Sequence, residues 1–332
     1  MATVGDIGEL ALVERLAAQV AAARLTRTAR PGFHLRIGIG DDAAAWYGEA
    51  GVWVATTDTM VEGVHFTRET SPWRDIGWKA MAANLSDVAA MGGAPVSAMV
   101  TLGLPRGLDA AAVDDLYAGM IAACLRYRTP ITGGDVVSAG EVFVTVAMMG
   151  ICGAEPLRRS AARPGDSIAV SGPLGASAGG LRLLQAGRSG AGDEEEEALV
   201  RAHRRPEPQL EAGQRILRSG IRCGMDVSDG LLLDLRRLAK ASGVGARLEA
   251  ARIPTVPGLK ALPDPLSFAL GGGEDYQLLF AGPPQVVELA LESVGAGAVI
   301  GEATPDEPGV VRVMDAEGRE MDVAHAGWEH LR

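Results

Sequence analysis

Carboxylates recur in this sequence where apolar segments end or glycines gather. They are Asp41 and Asp42 after Gly40, Asp58 after Thr56-Thr57, Asp87 in an apolar helix, Asp135 after Gly133-Gly134, Asp226 and Asp229 around Ser228, and Glu274-Asp275 after Gly271-Gly272-Gly273. Any one of them fits ordinary turn chemistry, an Asp side chain accepting from nearby backbone. As a set they point further, because loops at strand ends in α/β folds converge on one crevice. The chemistry they suit is the holding of hard divalent cations. Thr56-Thr57-Asp58 reads either as an edge strand running into a turn or as hydroxyl and carboxylate ligands for Mg²⁺, which takes few carboxylates plus phosphate and water. Gly38–Ala43 superficially matches GxGxxA. Adjacent carboxylates there would repel a pyrophosphate unless a cation bridges them, so metal binding is the better reading.

Asp87 lies near the C-terminal end of a helix read over 74–91, where the macrodipole disfavours negative charge by about 0.3–1 kcal/mol. Its neighbours Met81, Ala82, Ala83, Leu85, Val88, Ala89 and Ala90 are apolar, and Asn84 shares its face. A carboxylate in such surroundings costs free energy unless a cation offsets it. Asp229 admits two readings, N-cap of the next helix or ligand; Asp226 has no capping role. Glu274 follows glycines that mark either a tight turn or close approach of backbone to a ligand. His65 stands out by falling in the Asp58 segment, whereas His34, His203, His325 and His330 read as surface or satisfied residues. Cys124, Cys152 and Cys223 read as core filler.

The elements that must position these groups follow from periodicity. Asp6-Ile-Gly-Glu9 reads as a capping box opening a helix with Leu10, Val13, Leu16 and Val20 on one face. Leu35–Ile39 reads as a short apolar stretch, and strands are expected at 51–58, 96–102, around the alternating Val142, Val144, Val146 and Met148, at 167–170 and at 276–280. Pro130–Asp135 reads as a strand end and turn. Helices are expected at 108–127, after the Gly/Ser-rich 171–180, at 210–218 and at 231–241, with Leu231, Leu235 and Leu238 facing a core. The acidic run Asp193–Glu197 reads as a solvated loop.

The chain has 332 residues, which suggests two domains, and 47 % hydrophobic with 22 % charged residues is the globular range. No apolar run approaches the roughly 20 residues that span a bilayer. Asp6, Glu9 and Glu14 argue against a signal peptide. Three cysteines without CxxC spacing fit a reducing cytosol rather than a disulfide framework or zinc site. The net charge of −11 argues against nucleic-acid or anionic-membrane surfaces, while leaving room for anionic substrates bridged by cations. None of Lys79, Lys240 and Lys260 follows a glycine, so no P-loop is present. The reading is mixed α/β (α+β) in two domains, 1–150 and 151–332.

Eight segments, in order, resemble those of thiamine-monophosphate kinases: Ile39–Ala43, Thr57–Phe66, Asn84–Gly92, Gly133–Asp135, Arg159–Asp166, Arg205–Pro208, Asp226–Gly230 and Gly272–Tyr276. The resemblance covers nearly the whole chain. It implies the two-domain fold of the aminoimidazole ribonucleotide synthetase group, with an N-terminal metal- and ATP-binding α/β domain that dimerises through its sheet. The C-terminal α/β domain would complete the nucleotide and substrate site. It further implies Mg²⁺ ligands at Asp42, Thr56, Thr57, Asp58, Asp87, Asp135, Asp226 and Asp229. ATP contacts are implied at Tyr117, Gly134, Asp135, Arg159 and Ser228, and substrate contacts at His65, Glu274 and Trp328, with His325 the alternative to Trp328. The implied reaction is direct, in-line, ATP- and Mg²⁺-dependent phosphorylation of thiamine monophosphate by a cytoplasmic homodimer using several Mg²⁺ ions.

Two alternatives remain: another ATP-dependent enzyme of the group, or a non-catalytic binder of nucleotide or thiamine phosphate. Against the hydrogenase-maturation relative, the last cysteine is Cys223, far from the C-terminus. Against selenophosphate synthetase, no cysteine precedes Cys124 and no lysine precedes Lys79. Against the purine enzyme, Asp58-Thr-Met-Val-Glu-Gly stands where an Asp-Gly-Val-Gly-Thr-Lys stretch is expected.

Overall fold

The computed structural model describes residues 3, 6, 9–24, 34–37, 45–47, 51–323 and 327. The readings placed on Asp41, Asp42, His325, Trp328 and His330 lie outside the described residues. The chain divides into two compact units, residues 1–88 with 94–154, and residues 89–93 with 155–332.

In the first unit the elements run α1 (Glu9–Ala22), β1 (His34–Ile37), β2 (Ala45–Tyr47), β3 (Val52–Val61), α2 (Trp73–Ala90), β4 (Ala94–Leu104), α3 (Ala110–Tyr127), β5 (Ile131–Ser138) and β6 (Phe143–Cys152). β1 and β2 form a small antiparallel pair, and the others form a four-stranded sheet in the order β3-β6-β4-β5. Only β4 and β5 run parallel. Val96, Ala98, Val100 and Leu102 on β4, and Val144, Val146 and Met148 on β6, are all buried, as the alternation requires. α2 lies on that face: a Cβ added at Gly150 would stand 2.8 Å from Val88 Cγ1. α2 and α3 touch backbone to backbone. A Cβ at Gly77 would stand 1.9 Å from Leu116 O, and one at Gly119 would stand 1.8 Å from Arg74 O.

The Asp6–Glu9 reading rests on the Glu9 side chain, which lies outside the described residues. Thr3 N–H donates to Asp6 Oδ2 at 2.9 Å and Asp6 N–H donates to Thr3 Oγ1 at 3.2 Å, the reciprocal pair of a capping box. Of α1, Leu12 and Leu16 are fully buried and Val20 is half-buried. The Pro130–Asp135 reading is corrected. Gly133 and Gly134 lie inside β5, paired with Met99 and Val100. They are not turn residues: a Cβ at Gly134 would meet Val100 O at 1.8 Å, so the close approach of strands excludes a side chain.

The second unit continues with β7 (Ser167–Val170), α4 (Ala176–Gln185), α5 (Glu194–Arg204), α6 (Leu210–Arg218), β8 (Cys223–Asp226), α7 (Leu231–Ser242), β9 (Gly245–Glu249), α8 (Pro265–Gly271), β10 (Leu278–Gly282), α9 (Pro284–Val294), β11 (Ala298–Thr304) and β12 (Val311–Met314). Its six-stranded sheet has the order β12-β9-β11-β7-β10-β8. Leu231, Leu235 and Leu238 of α7 pack into the same core as Val170, Met225, Leu248, Leu279 and Ile300. The strand expected at 276–280 begins at Leu278 instead, because Tyr276 takes a left-handed φ of 50°.

The acidic run is not a loop. Asp193 caps α5 by accepting from Glu195 N and Glu196 N, and Glu194–Glu197 form its first turn. Negative charge at a helix N-terminus is favourable, so the run that reads as solvated polarity is a helix start. Among the described residues no helix is long and apolar enough to cross a membrane. No disulfide joins the three buried cysteines.

Candidate functional site

In the first unit β3 runs on past Asp58 to Val61, so Thr56, Thr57 and Asp58 sit within a strand rather than at its end. Period two then separates them. Thr56 and Asp58 share the face on which α2 lies, and Thr56 Oγ1 donates to Asp87 Oδ2 on that helix. Thr57 falls on the open face, paired with Ala147. Asp135 falls there too, in one row with Thr101, Thr145 and Thr59, of which Thr59 and Thr145 join their hydroxyls at 2.8 Å. Asp135 is exposed and accepts from Val136 N at 2.9 Å. The unit thus brings Thr56 and Asp87 into contact and leaves Thr57 and Asp135 on the opposite face.

Asn84, three residues before Asp87, is fully buried; its amide donates to Ala80 O at 3.1 Å and its Oδ1 has no partner. Lys79, which no motif reading singled out, is 2 % exposed on the same helix. His65 Nδ1 accepts from Val61 N at 3.0 Å, which fixes its ring beside the end of β3. Tyr117 is 5 % exposed, and burial pushes its phenol above the usual range. In this unit it packs in the interior.

In the second unit Asp226 ends β8 at 2 % exposure. The loop after it is organised by a residue that the motif reading passed over. Asp234, inside α7 and 0 % exposed, turns back and accepts from Ser228 N, Asp229 N and Gly230 N at 3.0, 3.0 and 3.1 Å. Asp229 is therefore not the cap of α7; its carboxylate faces outward and pairs with Arg237 Nη1, which also reaches Asp234 Oδ1 at 3.0 Å. Burial pushes the Asp234 carboxyl up to about 6. The signal that could have found it is spacing: Asp234 falls on the apolar face set by Leu231, Leu235 and Leu238, where a solvated carboxylate has no place.

The Gly271–Tyr276 segment wraps the same loop. Glu274 N–H donates to Ser228 O at 2.7 Å and Tyr276 N–H to Val227 O at 3.0 Å. Asp275 is buried against the start of α4, accepting from Gly175 N at 2.5 Å and Ser177 N at 3.0 Å, and burial pushes its carboxyl up to about 7. Arg159 is exposed, its carbonyl accepting from Ser242 Oγ at 2.7 Å.

Both units present hard oxygen donors. Among the described residues no three His, Cys, Asp or Glu side chains form a ready-made cage. Oxygen donors in ones and twos match magnesium, which keeps several waters and takes its remaining ligands from substrate phosphates.

Both units are similar to known proteins. Residues 40–152 match the family model of AIR synthase related protein, N-terminal domain, and residues 163–314 match its C-terminal domain. The thiamine-monophosphate kinase of Escherichia coli K12 is 35 % identical over 98 % of each chain, and that of Aquifex aeolicus is 35 % identical over 88 % of this chain and 92 % of its own. Among solved structures, the thiamine-monophosphate kinase of Stenotrophomonas maltophilia superposes with a TM-score of 0.80 at 34 % identity, covering 92 % of this chain and 96 % of its own. AaThiL complexed with AMPPCP and TMP superposes with a TM-score of 0.76 at 31 % identity, covering 98 % of both chains. The hydrogenase maturation protein HypE, at 20 % identity and a TM-score of 0.75, shares the fold. Identity of this order, sustained from end to end and in both units, makes the chain a member of the thiamine-monophosphate kinase family.

Proposed function

We propose that the protein transfers the γ-phosphoryl group of ATP to the phosphate of thiamine monophosphate, yielding thiamine diphosphate and ADP. The observation that carries this reading is the end-to-end similarity to kinases named for that substrate, one of them solved with AMPPCP and TMP. The residues support its physics. The acceptor is a phosphomonoester oxygen, already largely anionic at neutral pH because its second pKa is about 6. Transfer then needs positioning and charge neutralisation more than a general base, and we assign it as direct and in line.

We assign magnesium binding to Asp42, Thr56, Thr57, Asp58, Asp87 and Asp135 in residues 1–150, and to Asp226 and Asp229 in residues 151–332. When bound, the ions would neutralise and orient the phosphates. Of these residues, Thr56 holds Asp87 through its hydroxyl, and Asp234 holds the loop that carries Asp229. Gly134, Asp135, Arg159 and Ser228 are assigned to ATP. His65, Glu274 and Trp328 are assigned to the thiamine phosphate. The open face of the four-stranded sheet carries exposed Trp53, Met99 and Val137, and we assign it to a homodimer contact. With three buried cysteines and no disulfide, a reducing cytosol is the inferred compartment.

The test is a single assay in which protein, ATP, Mg²⁺ and thiamine monophosphate are incubated and thiamine diphosphate is quantified. EDTA and free thiamine are the controls. Diphosphate formed only with metal and only from the monophosphate is the expected result. Absence of product with ATP still bound would transfer the assignment to another acceptor or to a non-catalytic binder.

A further inference from the structure

Glu274 is held in an unusual backbone. Its φ is 64° and that of Tyr276 is 50°, both in the left-handed region that costs an ordinary residue about 1 kcal/mol or more. Such conformations persist only where the surroundings over-determine them. Here the Ser228 and Val227 carbonyls grip the segment on one side and Asp275 anchors it to the start of α4 on the other. What remains is the Glu274 side chain, which is 29 % exposed and would swing through several rotamers on its own.

A neighbour limits that freedom. His203, in the last turn of α5, is 4 % exposed. Its Nδ1 stands 3.4 Å from Glu274 Oε2 and 3.2 Å from Ser177 Oγ in the first turn of α4. With its proton on that nitrogen the ring donates toward the carboxylate, which only accepts. The hydroxyl of Ser177 meets the same nitrogen and fixes the plane of the ring. One imidazole thus joins α4, α5 and the Gly271–Tyr276 segment at a single carboxylate.

We propose that His203 is a positioning residue that sets the orientation of Glu274 toward the thiamine moiety, and so governs affinity for the phosphorylated acceptor and not for ATP. This rests on the assignment of Glu274 to the substrate. Its chemistry is that of a fixed acceptor aimed at a cationic, donor-bearing heterocycle: a carboxylate already held in one rotamer loses less entropy on binding.

Three variants test it. His203→Asn keeps an N–H donor where Nδ1 stands, His203→Gln moves the donor one bond further out, and His203→Leu removes it. KM is measured separately for thiamine monophosphate and for ATP, with a thermal melt of each variant. The expected result is a rise of roughly 10- to 100-fold in KM for thiamine monophosphate in the Leu and Gln variants, the factor of one charge-assisted hydrogen bond. KM for ATP stays within about twofold, and the Asn variant recovers most of the loss. In a Glu274→Gln background, His203→Gln adds nothing further, since the His acts through the carboxylate. An unchanged KM for thiamine monophosphate in a folded Gln or Leu variant would overturn the proposal, as would equal rises in both KM values. Failure of the wild-type protein to phosphorylate thiamine monophosphate would instead overturn the functional assignment beneath it.

Discussion

Replacing Asp234 tests how the Asp226–Gly230 loop is held, and the structure supplies the magnitude. One carboxylate oxygen accepts three consecutive backbone N–H groups at 3.0, 3.0 and 3.1 Å. At about 1.5 kcal/mol for each hydrogen bond to a charged group, those contacts contribute on the order of 5 kcal/mol. Burial works the other way. Even with those bonds made it leaves the carboxyl raised from 3.8 to about 6, so the ionised form is held at a net cost of about 3 kcal/mol. Asp234→Ala removes that cost but leaves three backbone N–H groups without their acceptor, at about 2 kcal/mol each. The expected destabilisation is therefore about 3 kcal/mol. Asp234→Asn keeps a carbonyl oxygen for the three donors and has no charge to desolvate. It loses the pairing with Arg237, whose side chain is 40 % exposed, so that the pair contributes less than about 1 kcal/mol. Urea denaturation monitored by fluorescence and circular dichroism should place the Ala variant about 3 kcal/mol below wild type and the Asn variant within about 1 kcal/mol of it. An Ala variant as stable as wild type, or an Asn variant as unstable as the Ala variant, would refute the clasp.

Asp87→Asn should lower phosphoryl transfer by roughly 100-fold or more while leaving the urea midpoint unchanged or raised, because it removes a ligand charge and relieves repulsion at the α2 C-terminus; an unfolded variant would contradict the ligand assignment. Asp275, raised to about 7 by burial, contributes stability that is present below about pH 4 and lost as pH rises through about 7. Wild type should therefore lose up to about 4 kcal/mol relative to Asp275→Asn between pH 4 and 8 in urea titrations, and a constant difference across that window would refute the reading.

Much of the fold is legible in the residues because it follows from repeats that need no partner. The alternation at Val144, Val146 and Met148 says half-buried strand, and Leu231, Leu235 and Leu238 say which face of α7 is core. The loops carrying Asp226–Gly230 and Gly271–Tyr276 are likewise visible as glycine and carboxylate clusters. The misread elements are end effects and close approaches. The Asp193 run looks like solvated polarity until its carboxylate is seen to accept from Glu195 N and Glu196 N. Gly133-Gly134 looks like a turn because a missing side chain has the same letters whether it permits a bend or a neighbouring strand.

Residue types and spacing by themselves point to an oxygen-rich, lysine-poor set of carboxylates suited to cations and phosphates, and to two α/β units. Three things required the folded chain. Thr56 and Thr57 are adjacent in sequence, yet one touches Asp87 and the other lies on the opposite face of the sheet. Asp234 and His203 carry no motif; Asp234 takes its role from burial beneath the loop just before its own helix, and His203 from burial beside a segment distant in sequence. The close contact of α2 and α3 depends on Gly77 and Gly119 meeting carbonyls of the facing helix. Local pattern encodes what a segment prefers to be, because propensity and periodicity act within a few residues. Which carboxylate is aimed, clasped or left outward depends on desolvation and on partners brought together across a hundred residues, and those terms exist only once the chain has packed.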